Sequence, residues 1–488
     1  MRPAFLIGIA AYAVIVVIIS IVAGKRAKND SHGFFLAGKS LPWYLICAGL
    51  VSQTVGGGST IGLASAAYTG GYASFWSLGP IVLGMVLMAL LLARPLSTMT
   101  QVTHPQILEE RYSLTSGVTA TIYYITQSIS GVGAQLLAMG ALITLVTGWP
   151  VLLSAAISGA IILVWVLLGG MLGTSWGDLL HWVIFVIGLA IMIPLTIARA
   201  GGLHHVLTAP GLPTGFGDIF HIAPADALAG TLLIAPTALA LQAYFQRLLG
   251  ARSARDGKVG VLVAAALMVP VYIFVPLLGI AGHYLFHGIS AASVFPHLMI
   301  SEFPTPVGVL LYAAITSALM SSAGGTALSA SSNITQDVYV RLINPDAAKQ
   351  RQVLVAKLSL VGLVLLSYLL LWAIPNVLSL LLFGFYGVVG GVLVPWLAAL
   401  YWPRVTTKAA NASMIISGAV SIALYFYEQL AHHLLGGVQP VFVGLGLALV
   451  ITVGGSLLDK PEQDKHRKFL VDNGIRKTRV TQETVAAS

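Results

Sequence analysis

Charge is what this sequence lacks. Of 488 residues, 8% are Asp, Glu, Lys or Arg and 57% are hydrophobic. Soluble domains carry about 25% charged residues, so a water-facing globular domain is excluded. Cysteine is nearly absent. Cys47 stands alone, which rules out an internal disulfide and implies no cysteine metal site. The acidic residues number 16 against 25 Lys and Arg, for a net charge of +9. Such an excess raises nucleic acid as a partner, but the basic residues are spread over loops and the tail instead of forming one patch. No motif for phosphate binding, metal ligation or a nucleophile occurs, so neither an enzyme nor an ATP-driven machine is supported.

What is present is apolar length. A membrane crossing needs about 20 apolar residues. Thirteen stretches qualify: 4–24, 43–68, 73–95, 117–147, 151–171, 178–198, 228–247, 257–284, 305–331, 354–374, 377–401, 410–427 and 439–458. The chain therefore reads as an all-α polytopic protein embedded in a lipid bilayer. This division leaves 23 of the 25 Lys and Arg on one side, with Arg2 and Arg199 on the other. Positive charge marks the cytoplasmic side, so the N-terminus is expected outside and the C-terminus inside, in a plasma (inner) membrane. The first run, from about Phe5 to Ala23, lacks an A-x-A cleavage pattern and reads as a retained helix. Residues 1–458 form one transmembrane domain; 459–488 read as a solvated polar tail, too short for a domain. Its Lys465, Arg467, Lys468, Arg476, Lys477 and Arg479 offer contact with anionic lipid as the alternative.

Two spans are not plain helices. The second reads Ser52-Gln53-Thr54-Val55-Gly56-Gly57-Gly58-Ser59-Thr60. Each glycine weakens a helix by about 1 kcal/mol relative to Ala. Unwound backbone at membrane depth is tolerated where it is buried in protein or lines a cavity. The flanking polar side chains favour a break at Val55–Gly58 over close packing through small residues. The seventh span carries Pro236, a second interruption. Interrupted spans in corresponding positions of two halves mark transporter sites. Spans two and seven lie five apart, which gives a five-plus-five inverted repeat over spans 2–11, about 43–401.

The ninth span ends Ser317-Ala318-Leu319-Met320-Ser321-Ser322. Ser321 and Ser322 follow Ala318 by three and four residues and share its face. Two hydroxyls and the Ala318 carbonyl make half of an oxygen cage for a small hard cation. The unwound carbonyls of Ser52 and Val55 are placed to complete it. The competing reading is small packing residues with back-bonded hydroxyls. Asp178 is the one acidic residue expected well inside the helical core. An intramembrane carboxylate is functional by default, although as the first residue of span six it also suits a helix cap. His181, one turn on, reads as packing or, more sharply, as a proton relay. Glu109, Glu110 and Arg111 read as a structural loop cluster.

The sequence resembles the sodium:solute symporter family over about 30–420. The matching pieces are Phe35-Leu36-Ala37-Gly38-Lys39-Ser40-Leu41-Pro42 and Ile61-Gly62-Leu63-Ala64, with Tyr68 and Gly71. They continue with Leu108-Glu109-Glu110-Arg111-Tyr112, Gly169-Gly170-Met171 and Gln246-Arg247. Ala318 through Ser332 with Asp337-Val338-Tyr339 is the most specific stretch, and Tyr401-Trp402-Pro403-Arg404 and Ala409-Ala410 follow. Each is weak alone and strong in this order. The resemblance implies a leucine-transporter-like fold and a sodium ion held by Ala318, Ser321, Ser322, Ser52 and Val55. It matches Asp178 to a residue that helps hold an additional sodium in some relatives. Here Gly177 replaces the usual Thr and His181 a usual Gln, which puts that second ion in doubt.

Members carry sugars, proline, pantothenate, sialic acid or short monocarboxylates. A Lys and a Glu of the sugar carriers correspond to about Ala266 and Leu78, which argues against hexoses. The candidate solute-lining residues are Gln53, Thr54, Ser59, Thr60, Trp76, Gln127, Gln135, Gln242, Phe245, Phe383 and Tyr386, all uncharged. Such a pocket suits a carboxylate or zwitterion at an interrupted helix N-terminus. The expected function is sodium-coupled import, by a monomer, of a small organic acid or amino acid. The rivals are proton-coupled or sodium-independent transport on the same fold and, from another class, a transporter-like sensor.

Overall fold

A computed structural model describes residues 36–208, 212–286, 288–301, 303–431 and 439–475, with scattered positions in the first apolar run. The expected span 4–24 and the tail beyond Ile475 lie wholly or largely outside the described residues. Among these, eleven helices are long and apolar enough to cross a membrane, and no strand occurs. The fold is all-helical and multi-pass. One of the eleven, Gly58–Leu91, joins the second half of the expected second span to the third, and the first half, Trp43–Thr54, is too short to count.

The principal helices are α1 (Trp43–Thr54), α2 (Leu63–Gly70), α3 (Ile81–Leu91), α4 (His104–Arg111), α5 (Leu114–Thr147) and α6 (Val151–Arg199). They continue with α7 (Pro224–Ile234), α8 (Gln242–Leu249), α9 (Ala254–Leu285) and α10 (Thr305–Ser332). The last are α11 (Lys349–Leu370), α12 (Val377–Gly387), α13 (Leu393–Tyr401), α14 (Thr407–Ala431), α15 (Pro440–Leu449) and α16 (Gln463–Asp472). α10 sits at the centre, packed on α6, α5 and α1.

α6 is helical across both expected spans five and six, but it is not straight. Trp165 and His181 have ring centroids 5.3 Å apart. Sixteen residues of straight helix would separate them by about 24 Å. The chain therefore doubles back between them, and two antiparallel crossings result. The second crossing begins at Thr174, so Asp178 stands one turn inside it and not at its capping position.

The break in the second span lies where the glycines placed it. Val55 leaves helical geometry at φ −86°, ψ 104°, and helical turns resume at Gly58. The seventh span is interrupted twice. A turn at Ala235–Pro236 separates α7 from a short helix, Thr237–Ala240, and extended Leu241 (φ −70°, ψ 127°) separates that from α8. The sharper interruption thus falls five residues beyond the proline. α1 and α8 are tied together: Leu41 N–H donates to Gly250 O at 3.0 Å, and the Thr54 and Tyr244 hydroxyls meet at 2.6 Å.

The third expected span starts late. Gly71–Ser77 is a short 3-10 segment carrying Trp76, and α3 begins at Ile81. The described part of the tail also differs from a plain solvated strand. α16 buries His466, Phe469 and Leu470, and Asn473 bonds to Glu110 at 2.9 Å. One face of this otherwise charged segment is apolar, which gives it something to bury.

Candidate functional site

The site grows from the loose end of α1. A helix C-terminus leaves its last carbonyls without intrahelical donors, and the glycines prevent the next turn from supplying them. Gly56 N–H turns to the Ser59 hydroxyl (2.9 Å) and Gly57 N–H to Gln135 Oε1 (2.6 Å). Gln53 O accepts from Ser322 Oγ at 3.3 Å and Thr54 O from Ser59 Oγ at 2.9 Å. Among the described residues, no donor reaches the carbonyls of Ser52 and Val55. Ser52 and Val55 line a narrow crevice with Ala318, Val51, His181, Trp182 and Phe185, too tight to admit the centre of a water molecule.

α10 and α6 close around the same place. Ser321 Oγ donates to Asp178 Oδ1. Arg247 donates to Asp178 Oδ2 and to Ser175 Oγ, each at 2.5 Å. Ser52 Oγ donates to the Asp178 carbonyl at 3.1 Å. Asp178 and Arg247 are buried, with side chains 0% and 2% exposed. The sequence placed Arg247 among loop charges; the structure draws it into the core, and it is the partner that a buried carboxylate requires. Asp178 is also not the sole buried acid, since Asp337 is 7% exposed and accepts from Thr103 Oγ1 at 2.6 Å. Gln53 links the break to α10, its amide donating to Ser321 O at 3.2 Å and accepting from Thr326 at 3.2 Å.

A larger cavity lies beside the break, with ≈ 640 Å³ of empty space of which ≈ 60 Å³ admits the centre of a water molecule. Gln53, Thr54, Ser59, Gln127 and Gln135 line it, together with Leu78 and Ser322. The other six expected lining residues are not among its walls. Thr60 turns back on its own helix, donating to Gly56 O at 2.7 Å. Trp76 bonds Ile219 O at 2.8 Å in the segment before α3. Gln242 accepts from His104 N–H at 2.9 Å, and Phe245 stacks on the His104 ring at 4.1 Å. Phe383 and Tyr386 pack against Tyr425 on α14, at 5.7 and 5.0 Å. These six side chains are turned to other partners.

Thr237, Tyr244, Tyr272 and Thr326 are wall residues that the sequence reading missed. Two left a signal. Thr326 follows Ser322 by four and shares its face, and Thr237 adjoins the proline of the second interruption. Tyr244 and Tyr272 left none, because only the fold brings α8 and α9 to the break.

Two interrupted helices meeting at a polar cavity in a multi-pass helical protein define a transporter of leucine-transporter-like fold. The profile of the sodium:solute symporter family matches residues 34–417, and the chain belongs to that family. It is 26% identical to sodium/glucose cotransporter 4 of Danio rerio, over 93% of this chain and 78% of that protein. It is 23% identical to a sodium/glucose cotransporter of Vibrio parahaemolyticus (82% and 81% covered) and 26% identical to sodium/myo-inositol cotransporter 2 of Rattus norvegicus (87% and 71%). Among solved structures, a Na+-coupled sialic acid symporter in its substrate-bound outward-open state shares the fold. The TM-score is 0.78 at 16% identity, covering 94% of this chain and 98% of that one. Sodium is accordingly the coupled ion, and the protein is a sodium-coupled symporter of a small solute.

Proposed function

We propose that the coupled sodium sits between α1 and α10, on the carbonyls of Ser52, Val55 and Ala318 and the hydroxyls of Ser321 and Ser322. The observation that carries this reading is the pair of donor-free carbonyls at Ser52 and Val55, which share a narrow crevice with Ala318. A buried carbonyl left without a partner is unfavourable by about 1–3 kcal/mol, and a cation relieves both. An ion bound there joins α1 to α10 and favours the arrangement that accepts solute in the adjoining cavity. Rocking of one helix set against the other then releases both to the cytoplasm.

For the solute we propose a small organic acid or amino acid. The cavity wall is uncharged, with amides and hydroxyls, and the N-terminal end of the turns beginning at Gly58 adjoins it. Leu78 stands in that wall, an apolar residue where the sugar carriers have an acid. A polyol is the second reading. It is favoured by relatives named for glucose and myo-inositol, and by Gln127 and Gln135, whose amides suit hydroxyl groups.

Thermal unfolding of purified protein in sodium against potassium, at equal ionic strength, tests the ion. A ligand specific to the folded state raises the midpoint as ln(1 + [L]/Kd). The expected result is a sodium-specific rise that Ser322→Ala loses. Identical behaviour in the two salts up to high concentration would sink the sodium site and turn attention to proton coupling through His181, which lines the same crevice as Ser52 and Val55. Competition of uptake by acids, amino acids, sugars and nucleobases then tests the solute. Inhibition by sugars or nucleobases alone would overturn the organic-acid reading.

A further inference from the structure

Asp178 holds two of the five proposed sodium donors in place. Its carboxylate accepts from the Ser321 hydroxyl on α10, and its backbone carbonyl accepts from the Ser52 hydroxyl on α1. A hydroxyl has one hydrogen and two lone pairs. With the Ser321 hydrogen committed to Asp178, its lone pairs are left for another partner, and Ala318 and Ser322 share that stretch of helix. The other carboxylate oxygen is taken by Arg247 at 2.5 Å. The guanidinium is itself anchored by Ser175 at 2.5 Å. α1 is shaped to let it pass, since a Cβ at Gly49 would lie 2.6 Å from Arg247 Nε. Both carboxylate oxygens are therefore engaged, one by a fixed positive charge.

From this geometry we propose that Asp178 is a positioning residue and not an ion ligand. The guanidinium of Arg247 occupies the side of this carboxylate that a second cation would need, so no second sodium binds at Asp178. This inference rests on the sodium site proposed above and adds what holds its donors. A second cation at this carboxylate would need to displace a buried, doubly anchored guanidinium and then lie beside it. Removing one partner of a buried pair strands the other, so the neutral test replaces both.

The experiment is an equilibrium sodium titration of the full-length purified protein, read by calorimetry and by thermal unfolding, with potassium holding ionic strength. The wild type is expected to titrate with a Hill coefficient near 1. Asp178→Asn combined with Arg247→Gln is expected to weaken sodium about tenfold or more, as loss of outer-shell support does elsewhere, with the coefficient unchanged. Arg247→Lys, which keeps the charge, is expected to stay closer to wild type than the neutral pair. A wild-type coefficient near 2 that falls to 1 in the neutral pair would make Asp178 a ligand of a second ion and overturn the proposal. Unchanged sodium affinity in the neutral pair would overturn it as well. If that pair does not fold, Ser175→Ala withdraws one anchor of the guanidinium. A weakening of a few-fold at the same coefficient supports the proposal, and no change sinks it. A wild type with no sodium response at all fails earlier, at the ion site itself, before any variant is compared.

Discussion

At the scale of single residues, the site is a matter of which polar groups already have partners. Gln135 and Gln127 both line the larger cavity from α5, eight residues apart, yet they stand differently. Gln135 Oε1 accepts the Gly57 N–H at 2.6 Å and so closes a bond that the break leaves open. Gln127 has no hydrogen-bond partner among the described residues, although it is 7% exposed. Gln135→Leu should therefore destabilise the protein by about 1–3 kcal/mol, the range for stranding a buried group. Gln127→Leu should leave the unfolding midpoint nearly unchanged while weakening solute binding. Equal midpoints for the two variants would mean that the Gly57 bond does not matter. The residue types of the site were legible in sequence: oxygen-bearing side chains around a glycine run, and Ala318, Ser321 and Ser322 at helical spacing. Their partners were not. Arg247 looked like one more loop cation, because nothing local to it says that Asp178 lies across the fold.

At the scale of elements, two interrupted helices must be held with their open ends at the cavities. Neighbours packed against the breaks do this, and α3 comes closest to the second one. A Cβ at Gly84 would stand 1.8 Å from the Ala235 carbonyl oxygen, a backbone atom at the end of α7 that cannot rotate aside. Gly84→Ala should force α3 from the interruption and lower stability by about 1–3 kcal/mol, the usual range for overpacking. Gly446→Ala on α15, where nothing lies within 4 Å, is the control and should behave as wild type in thermal unfolding. A Gly84→Ala protein as stable as the control would show that the contact is not needed. Where the breaks fall was partly legible. Glycine and proline announce lost helix propensity, and they located the first break and one end of the second. Extended Leu241 carries no such mark, because an ordinary leucine is bent there by the packing around it. The fold-back in α6 was legible for a different reason: two apolar runs of bilayer length must reverse between them, even where helical hydrogen bonding hides the turn.

At the scale of the whole molecule, direction depends on orientation, and orientation was read from charge alone. If the basic side is cytoplasmic, sodium enters down both its gradient and the membrane potential. One charge crossing 100 mV releases about 2.3 kcal/mol, and a tenfold gradient adds about 1.4 kcal/mol. A single sodium per solute then supports concentration of the solute by roughly several hundredfold, since each 1.4 kcal/mol is tenfold. The reverse orientation would make the same machine an exporter under the same gradients. Cys47 makes the question tractable, because it is the chain's only cysteine and is buried. Ser290, between α9 and α10, and Lys468, on α16, are exposed and lie at opposite ends of the expected topology. In intact cells a membrane-impermeant maleimide should label Ser290→Cys and spare both Lys468→Cys and the wild type. After permeabilisation Lys468→Cys should label as well. Labelling of Lys468→Cys alone in intact cells would invert the molecule, and import would have to give way to export. The positive-inside bias makes that outcome hard to reach, since basic loops resist translocation one by one, and all but two of the basic residues would have crossed.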